Sequence, residues 1–183
     1  MEWLLFTSQL PASPSSLRVM VWRRMKAAGA VSLQNGVWVL PRSKEQERLV
    51  QELLDYLEEQ GAAGQIFAAT ALGEKVEKDL LKRFRGQRNE EYVELIERCQ
   101  GMLEELARET KKKKFTFAEL EENEDDLQKL ESWLKRIKAR DLVGGEHADE
   151  AARALGACRK AFHTFADYVY AQEQVTSKKD SSK

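Results

Sequence analysis

Six cations, Arg18, Arg23, Arg24, Lys26, Arg42 and Lys44, are the only charged residues between Trp3 and Lys44, in a chain of 183 residues whose formal net charge is -1. One sign concentrated inside a near-neutral average makes a local positive field, and that field draws an anionic partner. Ammonium and guanidinium groups on one segment can contact phosphate oxygens. Guanidinium adds a bidentate geometry that suits carboxylates and oxyanions.

Other chemistries find little support. Cys99 and Cys158 are the only cysteines; neither lies in a CxxC or CxxH spacing, and each falls on the apolar side of a helical pattern, as small core hydrophobes do. His147 follows Gly144, Gly145 and Glu146 in a loop, and His163 sits beside Phe162 and Phe165 as a packed or exposed helix residue. No Ser, Cys or Asp nucleophile stands near a histidine in a known motif, and neither GxGxxG nor GxxxxGK[ST] occurs. The expectation is a protein that is not an enzyme, with no catalytic residue, metal or cofactor.

Two charge runs remain open to two readings each. Lys111 to Lys114 can bind phosphate or complement a helix C-terminal dipole. Glu119, Glu121, Glu122, Glu124, Asp125 and Asp126 can be a metal site or a solvated acidic face for interaction. The segment lacks the spacing and turn glycine of an EF-hand, which argues for the face.

A composition of 42% hydrophobic and 33% charged residues suits a soluble, helix-rich protein with a real core. No apolar run approaches the roughly 20 residues of a membrane span. Trp3 to Phe6 is too short for a signal peptide, and Glu2 stands where such a peptide carries positive charge. A cytoplasmic location without a membrane partner is expected.

The elements that must position the cations follow from periodicity. Trp3 to Leu10 reads as a buried strand closed by Pro11 and Pro14, and Ser15 or Ser16 caps a helix from Leu17 to Ala28 ended by Gly29. Val31 to Leu40 is extended around an Asn35-Gly36 turn or bulge, with Pro41 as its stop. Lys44 to Gln60 is a second helix, with Leu49, Val50, Leu53, Leu54 and Leu57 at helical spacing, and Gln65 to Leu72 is a last strand. This order predicts an α+β fold with a small ferredoxin-like β-α-β-β-α-β domain over residues 1–73, both helices on one face.

Beyond Gly73 strand signals stop. Val76, Leu80, Leu81 and Phe84 begin a helix or connector, and Tyr92 to Leu106, Asp126 to Asp141 and Ala148 to Gln172 carry amphipathic stripes. The expectation is an antiparallel helical bundle over 74–172, making the chain mostly helical, and a disordered polar tail over 173–183.

On the first helix the cations divide. At about 100° per residue, Leu17, Met20, Val21, Met25 and Ala28 share a core arc. Arg24 falls inside it, to be held in a structural ion pair or to anchor a bound oxyanion. Arg23 and Lys26 point away from the arc, and Arg18 and Trp22 lie at its edge, so this face is either an ordinary solvated one or a set of phosphate contacts.

The segments PSSLRVMVWRRMKAAGAVSLQNGVWVLP and FTFAELEENEDDLQKLESWLKRIKARD closely resemble the N-terminal region of ChrB, the regulator of bacterial chromate-resistance operons. The first segment is similar, more loosely, to the middle region of PaaX-type repressors. The ChrB resemblance covers residues 3 to 172. It implies a DNA-associated transcription regulator, homodimer formation and chromate or another oxyanion as effector. Arg18, Arg23, Lys26, Arg42 and Lys44 are the expected DNA contacts. The alternative is an accessory or assembly module of an oxyanion-resistance system that binds no nucleic acid.

ChrB-like proteins commonly continue into a second, chromate-resistance domain, whereas this sequence ends at Lys183. A stand-alone relative, or one whose sensing half is a separate polypeptide, is therefore expected. The β-α-β-β-α-β pattern is also similar to small CRISPR-associated nucleases. Thr7, Ser8 and Gln9 stand where those carry a metal-binding aspartate, so nuclease activity does not carry over.

Overall fold

In a computed structural model that describes residues 1–10 and 15–180, strand alternation sets the architecture. The elements run β1 (Glu2–Gln9), α1 (Ser16–Ala27), β2 (Val31–Gln34), β3 (Val37–Pro41), α2 (Lys44–Glu59), β4 (Ala63–Thr70), α3 (Glu74–Lys112), α4 (Phe117–Arg140) and α5 (Ala148–Asp180). The strands lie in the order β2-β3-β1-β4 with every neighbouring pair antiparallel. This is the ferredoxin-like sheet expected from the sequence. The proposed closing of the first strand by Pro11 and Pro14 lies outside the described residues.

Successive β1 side chains face opposite ways. Leu4 and Phe6 join Trp38 and Leu40 against Val21 and Met25 of α1 and Val50, Leu53 and Leu57 of α2. Trp3, Val31 and Val39 share the other face, where Phe84 is buried with them and Leu80 and Leu81 pack alongside. Trp3 and Phe84 stack at a centroid distance of 5.5 Å and 23° between planes. Burying each such side chain stabilises by roughly 1.5–3 kcal/mol.

That second apolar face explains where the chain divides. Residues Met1–Arg88 with Ala139–Gly145 form one compact unit, and Asn89–Lys138 with Glu146–Lys183 form another. The division falls within α3 and not near residue 73, because a sheet with apolar side chains on both faces needs a second cover. The early turns of α3 supply it.

In the second unit, α3, α4 and α5 bury one continuous stripe each: Tyr92 to Leu106, Leu120 to Ile137 and Ala151 to Val169. Contacts between Glu109 and Asn123 and between Glu131 and Arg159 set neighbouring helices antiparallel. The fourth helix in the chain begins at Phe117 and not at Asp126, since the Thr116 hydroxyl accepts from the Glu119 backbone N–H at 3.3 Å. Thr116 and Glu119 have the spacing of a capping box. The acidic run therefore lies along a helix, with Glu121, Glu122, Glu124 and Asp125 exposed. Among the described residues no group of three or more potential ligands could hold a metal. The expected polar tail is helical as far as Asp180, since extending an existing helix costs far less than nucleating one.

Lys111 and Lys112 occupy the last turn of α3 and Lys113 takes a left-handed φ of 54° as the helix closes. Lys114 pairs with Glu119 at 2.9 Å. Buried Glu109 accepts from Asn123 Nδ2 at 2.8 Å. Burial, then hydrogen bonding to Glu119, raises the Glu109 carboxyl above the ordinary glutamate pKa, whereas Lys114 lowers that of Glu119. The fold thus holds the Glu109 proton more tightly than the unfolded chain does, and this contribution is lost as pH rises from the ordinary glutamate value through the raised one. Glu119 has the opposite sign: its contribution is present above the ordinary value and lost as pH falls through the lowered one. Glu109→Gln keeps an oxygen acceptor and removes the titration. Urea midpoints followed upward from pH 4.5, the reference value for this group, should fall less for this variant than for the parent; parallel profiles would exclude the assignment.

Cys99 and Cys158 are both fully buried, and the Cys158 thiol donates to the Cys99 carbonyl at 3.2 Å. Its contact with the Cys99 thiol and its burial push the Cys158 pKa far up. Both are packed in the helical core, as their positions in the apolar stripes imply, and Cys158 is held as the protonated thiol, whereas its hydrogen bond lowers the pKa of Cys99. His163 is exposed, and His147 Nδ1 lies 3.0 Å from Glu150.

Candidate nucleic-acid interface

The face of α1 next to its buried row carries Arg18, Trp22 and Lys26, each four residues from the next and so one above another. Val21, Met25 and Ala28 are the buried residues that fix this orientation. The helix is anchored at its end by Ala30 N–H donating to Met25 O at 2.9 Å and Gly29 N–H to Lys26 O at 3.1 Å. These are the two bonds of a Schellman closure, and Gly29 supplies the left-handed residue with φ 79°. Ser15 stands at the N-cap without a side-chain cap bond.

Arg18, Trp22 and Lys26 line an open cleft of about 650 Å³ together with Ser8 and Gln9 of β1, Ser32 of β2, the Asn35-Gly36 turn and Trp38 of β3. No carboxylate lines it among the described residues. The Trp22 indole is 54% exposed, enough for a flat group to lie on it, while Trp38 is buried at 6% and forms part of the apolar wall. Lys26 is half-buried and its Nζ donates to Gln87 Oε1 at 3.4 Å. The Ser8 hydroxyl is enclosed without a hydrogen-bond partner among the described residues.

The turn reaches the cleft because Gly36 O accepts from Ser8 N–H at 2.8 Å. Gly36 has φ 74°, and a Cβ there would stand 2.4 Å from Ser8 O, so only glycine permits this approach. Asn35 does not share the positive φ. The register shift between Ser32 and Gln34 instead supplies a bulge.

The remaining expected site residues divide. Arg23 is exposed but does not line the cleft. Arg42 Nε donates to Glu47 at 2.6 Å and Nη1 to Glu2 at 3.4 Å, and the Glu47 bond followed by the nearby carboxylate charges raises its pKa. Lys44 is exposed at the start of α2, where Glu45 and Glu47 share the first turn. The stretch that is free of acids in sequence thus meets Glu2 and Glu47 in space at its far end, and its positive field concentrates at α1.

Arg24 requires a correction. It is exposed, its guanidinium lies over the Tyr56 ring at 5.3 Å from the centroid, and no carboxylate among the described residues pairs with it. The reason is the width of the buried arc, which is centred on Val21, Met25 and Ala28 and leaves Arg24 at its rim. There a cation over an aromatic face replaces the expected buried ion pair. Arg24 lies outside the cleft lining, so the structure does not join it to an oxyanion site with Arg18 and Lys26.

Sequence reasoning missed Ser8, Gln9, Ser32, Asn35 and Trp38 as companions of these cations. Only the Asn35-Gly36 pair carries a local signal, because the others meet through pairing across the sheet.

The family model described as protein ChrB, N-terminal, matches residues 18–176, from within α1 to the last turns of α5. No curated protein matches the chain.

Proposed function

The chain belongs to the family of ChrB N-terminal regions, and on that premise we propose that it is a DNA-associated transcription regulator of a chromate-resistance operon, contacting DNA phosphate through α1. The observation that carries the reading is the row Arg18, Trp22 and Lys26 along an acid-free cleft, flanked by exposed Arg23. Phosphates carry no sequence information, so these side chains position the protein, and the cleft floor of Ser8, Gln9 and Asn35 offers donors and acceptors for further polar contact. The reading assigns a binding role and no catalytic step. Among the described residues, no helix is long and apolar enough to cross a membrane.

The test is a gel-shift titration with the DNA upstream of the chain's own gene at several salt concentrations, with and without chromate. Four phosphate contacts, from Arg18, Arg23, Lys26 and Lys44, give a slope of log K against log salt of about -3 to -4. A flat salt response would sink the reading. It would favour the alternative, an accessory module working through the exposed acids of α4, Glu121, Glu122, Glu124 and Asp125. A chromate-dependent change in affinity would add effector sensing by this chain.

A further inference from the structure

The two edges of the sheet are treated differently by the fold. At one edge β2 has only four residues, a register shift between Ser32 and Gln34, and Arg83 Nη2 donating to Ser32 O at 2.6 Å. Shortness, a bulge and a cation on the backbone are devices that keep an edge from pairing with another strand.

At the other edge β4 has none of them. Its eight residues, AGQIFAAT, pair with β1 without a register shift and contain no charge and no proline. Half the backbone groups of such a strand point outward. No residue of β4 makes a further backbone hydrogen bond to another segment among the described residues. Apolar side chains adjoin this edge: Phe67 is 47% exposed, and Leu72 and Val76 just beyond the strand are exposed as well.

We propose that β4 is a homodimerisation edge, pairing antiparallel with β4 of a second copy to make one continuous eight-stranded sheet. The second copy is the occupant that this strand fits best. An uncharged strand meets no like-charge repulsion when opposed to itself, and a two-fold axis makes the same patch serve both subunits. Residues opposite each other in an antiparallel sheet share a face, which restricts the register to pairs of equal parity. With the axis at Phe67, that residue faces Phe67 of the second copy, Gln65 faces Ala69 and Ile66 faces Ala68. The central pair is then aromatic, on the face that Phe67 shares with Leu5.

Sedimentation of the full chain at micromolar concentration should give twice the 21.0 kDa chain mass. Phe67→Lys with Ala68→Lys should reduce it to the monomer mass, with the circular dichroism spectrum unchanged because both positions are exposed. Phe67→Cys should form a covalent dimer in oxidised glutathione, each bridge giving up two protons and two electrons as the glutathione disulfide becomes two thiols. Opposed Cα atoms about 4.5–5.5 Å apart fall within disulfide reach. Gln65→Cys, opposite Ala69, should not cross-link to itself. A monomeric parent, a dimer that survives both lysines, or cross-linking through Gln65→Cys without Phe67→Cys would each overturn the proposal.

Discussion

Arg18→Glu combined with Lys26→Glu should lower affinity for the upstream DNA by about 100-fold or more at moderate salt, and should reduce the steepness of the salt dependence by about two in slope. Each substitution removes a cation from the cleft and sets a carboxylate against the phosphate chain. Arg18 is exposed and Lys26 half-buried along the cleft, and neither belongs to the buried set Val21, Met25 and Ala28. Folding should therefore be retained, which circular dichroism checks on the same samples. Arg42→Glu is the informative comparison: Arg42 lies outside the cleft lining and its charge is offset by the carboxylates of Glu47 and Glu2, so its loss should weaken DNA binding far less. Equal effects at Arg42 and at the cleft would mean that general charge, and not the α1 row, governs the interaction.

Gly29→Ala should destabilise the sheet-containing unit by about 2–5 kcal/mol. Gly29 closes α1 with φ 79°, and a Cβ there would lie 2.5 Å from the carbonyl oxygen of Arg140 and 3.1 Å from its Cα. The left-handed conformation costs an alanine about 1–2 kcal/mol, and forcing extra volume into a filled site costs about 1–3 more. The obstacle is backbone, which cannot swing aside as a flexible side chain can. Three of the four tryptophans, Trp3, Trp22 and Trp38, belong to this unit, so fluorescence-detected urea unfolding of the Trp133→Phe background reports on it. A change within about 0.5 kcal/mol, the range of an ordinary surface substitution, would contradict the close approach of the turn to Arg140.

Much of this molecule is legible from local pattern. The element order of the first 70 residues follows from alternation, from prolines and from glycines at turns, since these features act within a few residues. Element ends over that stretch shift by a residue or two; the start of α4 shifts by nine, because the Thr116 cap stands just before an acidic run, and the end of α5 shifts by eight, from Gln172 to Asp180. Arg24 was misplaced for a different reason. Helical angle gives direction from the axis but not the breadth of the neighbouring surface, and α2 places Tyr56 under the guanidinium where a carboxylate was expected.

The cations of α1, the absence of acids beside them in the chain and the apolar stripes of the bundle were determined by sequence alone, because composition and period suffice to define them. Tertiary structure decided what those cations face. Pairing β1 with β3 brings Ser8 to Gly36 and forms the cleft floor, the return of the chain sets Glu2 and Glu47 on Arg42, and the strand order leaves β4 open while β2 is shielded. These juxtapositions join residues far apart in the chain, and their energies arise from packing and long-range hydrogen bonds, which no short window of sequence contains.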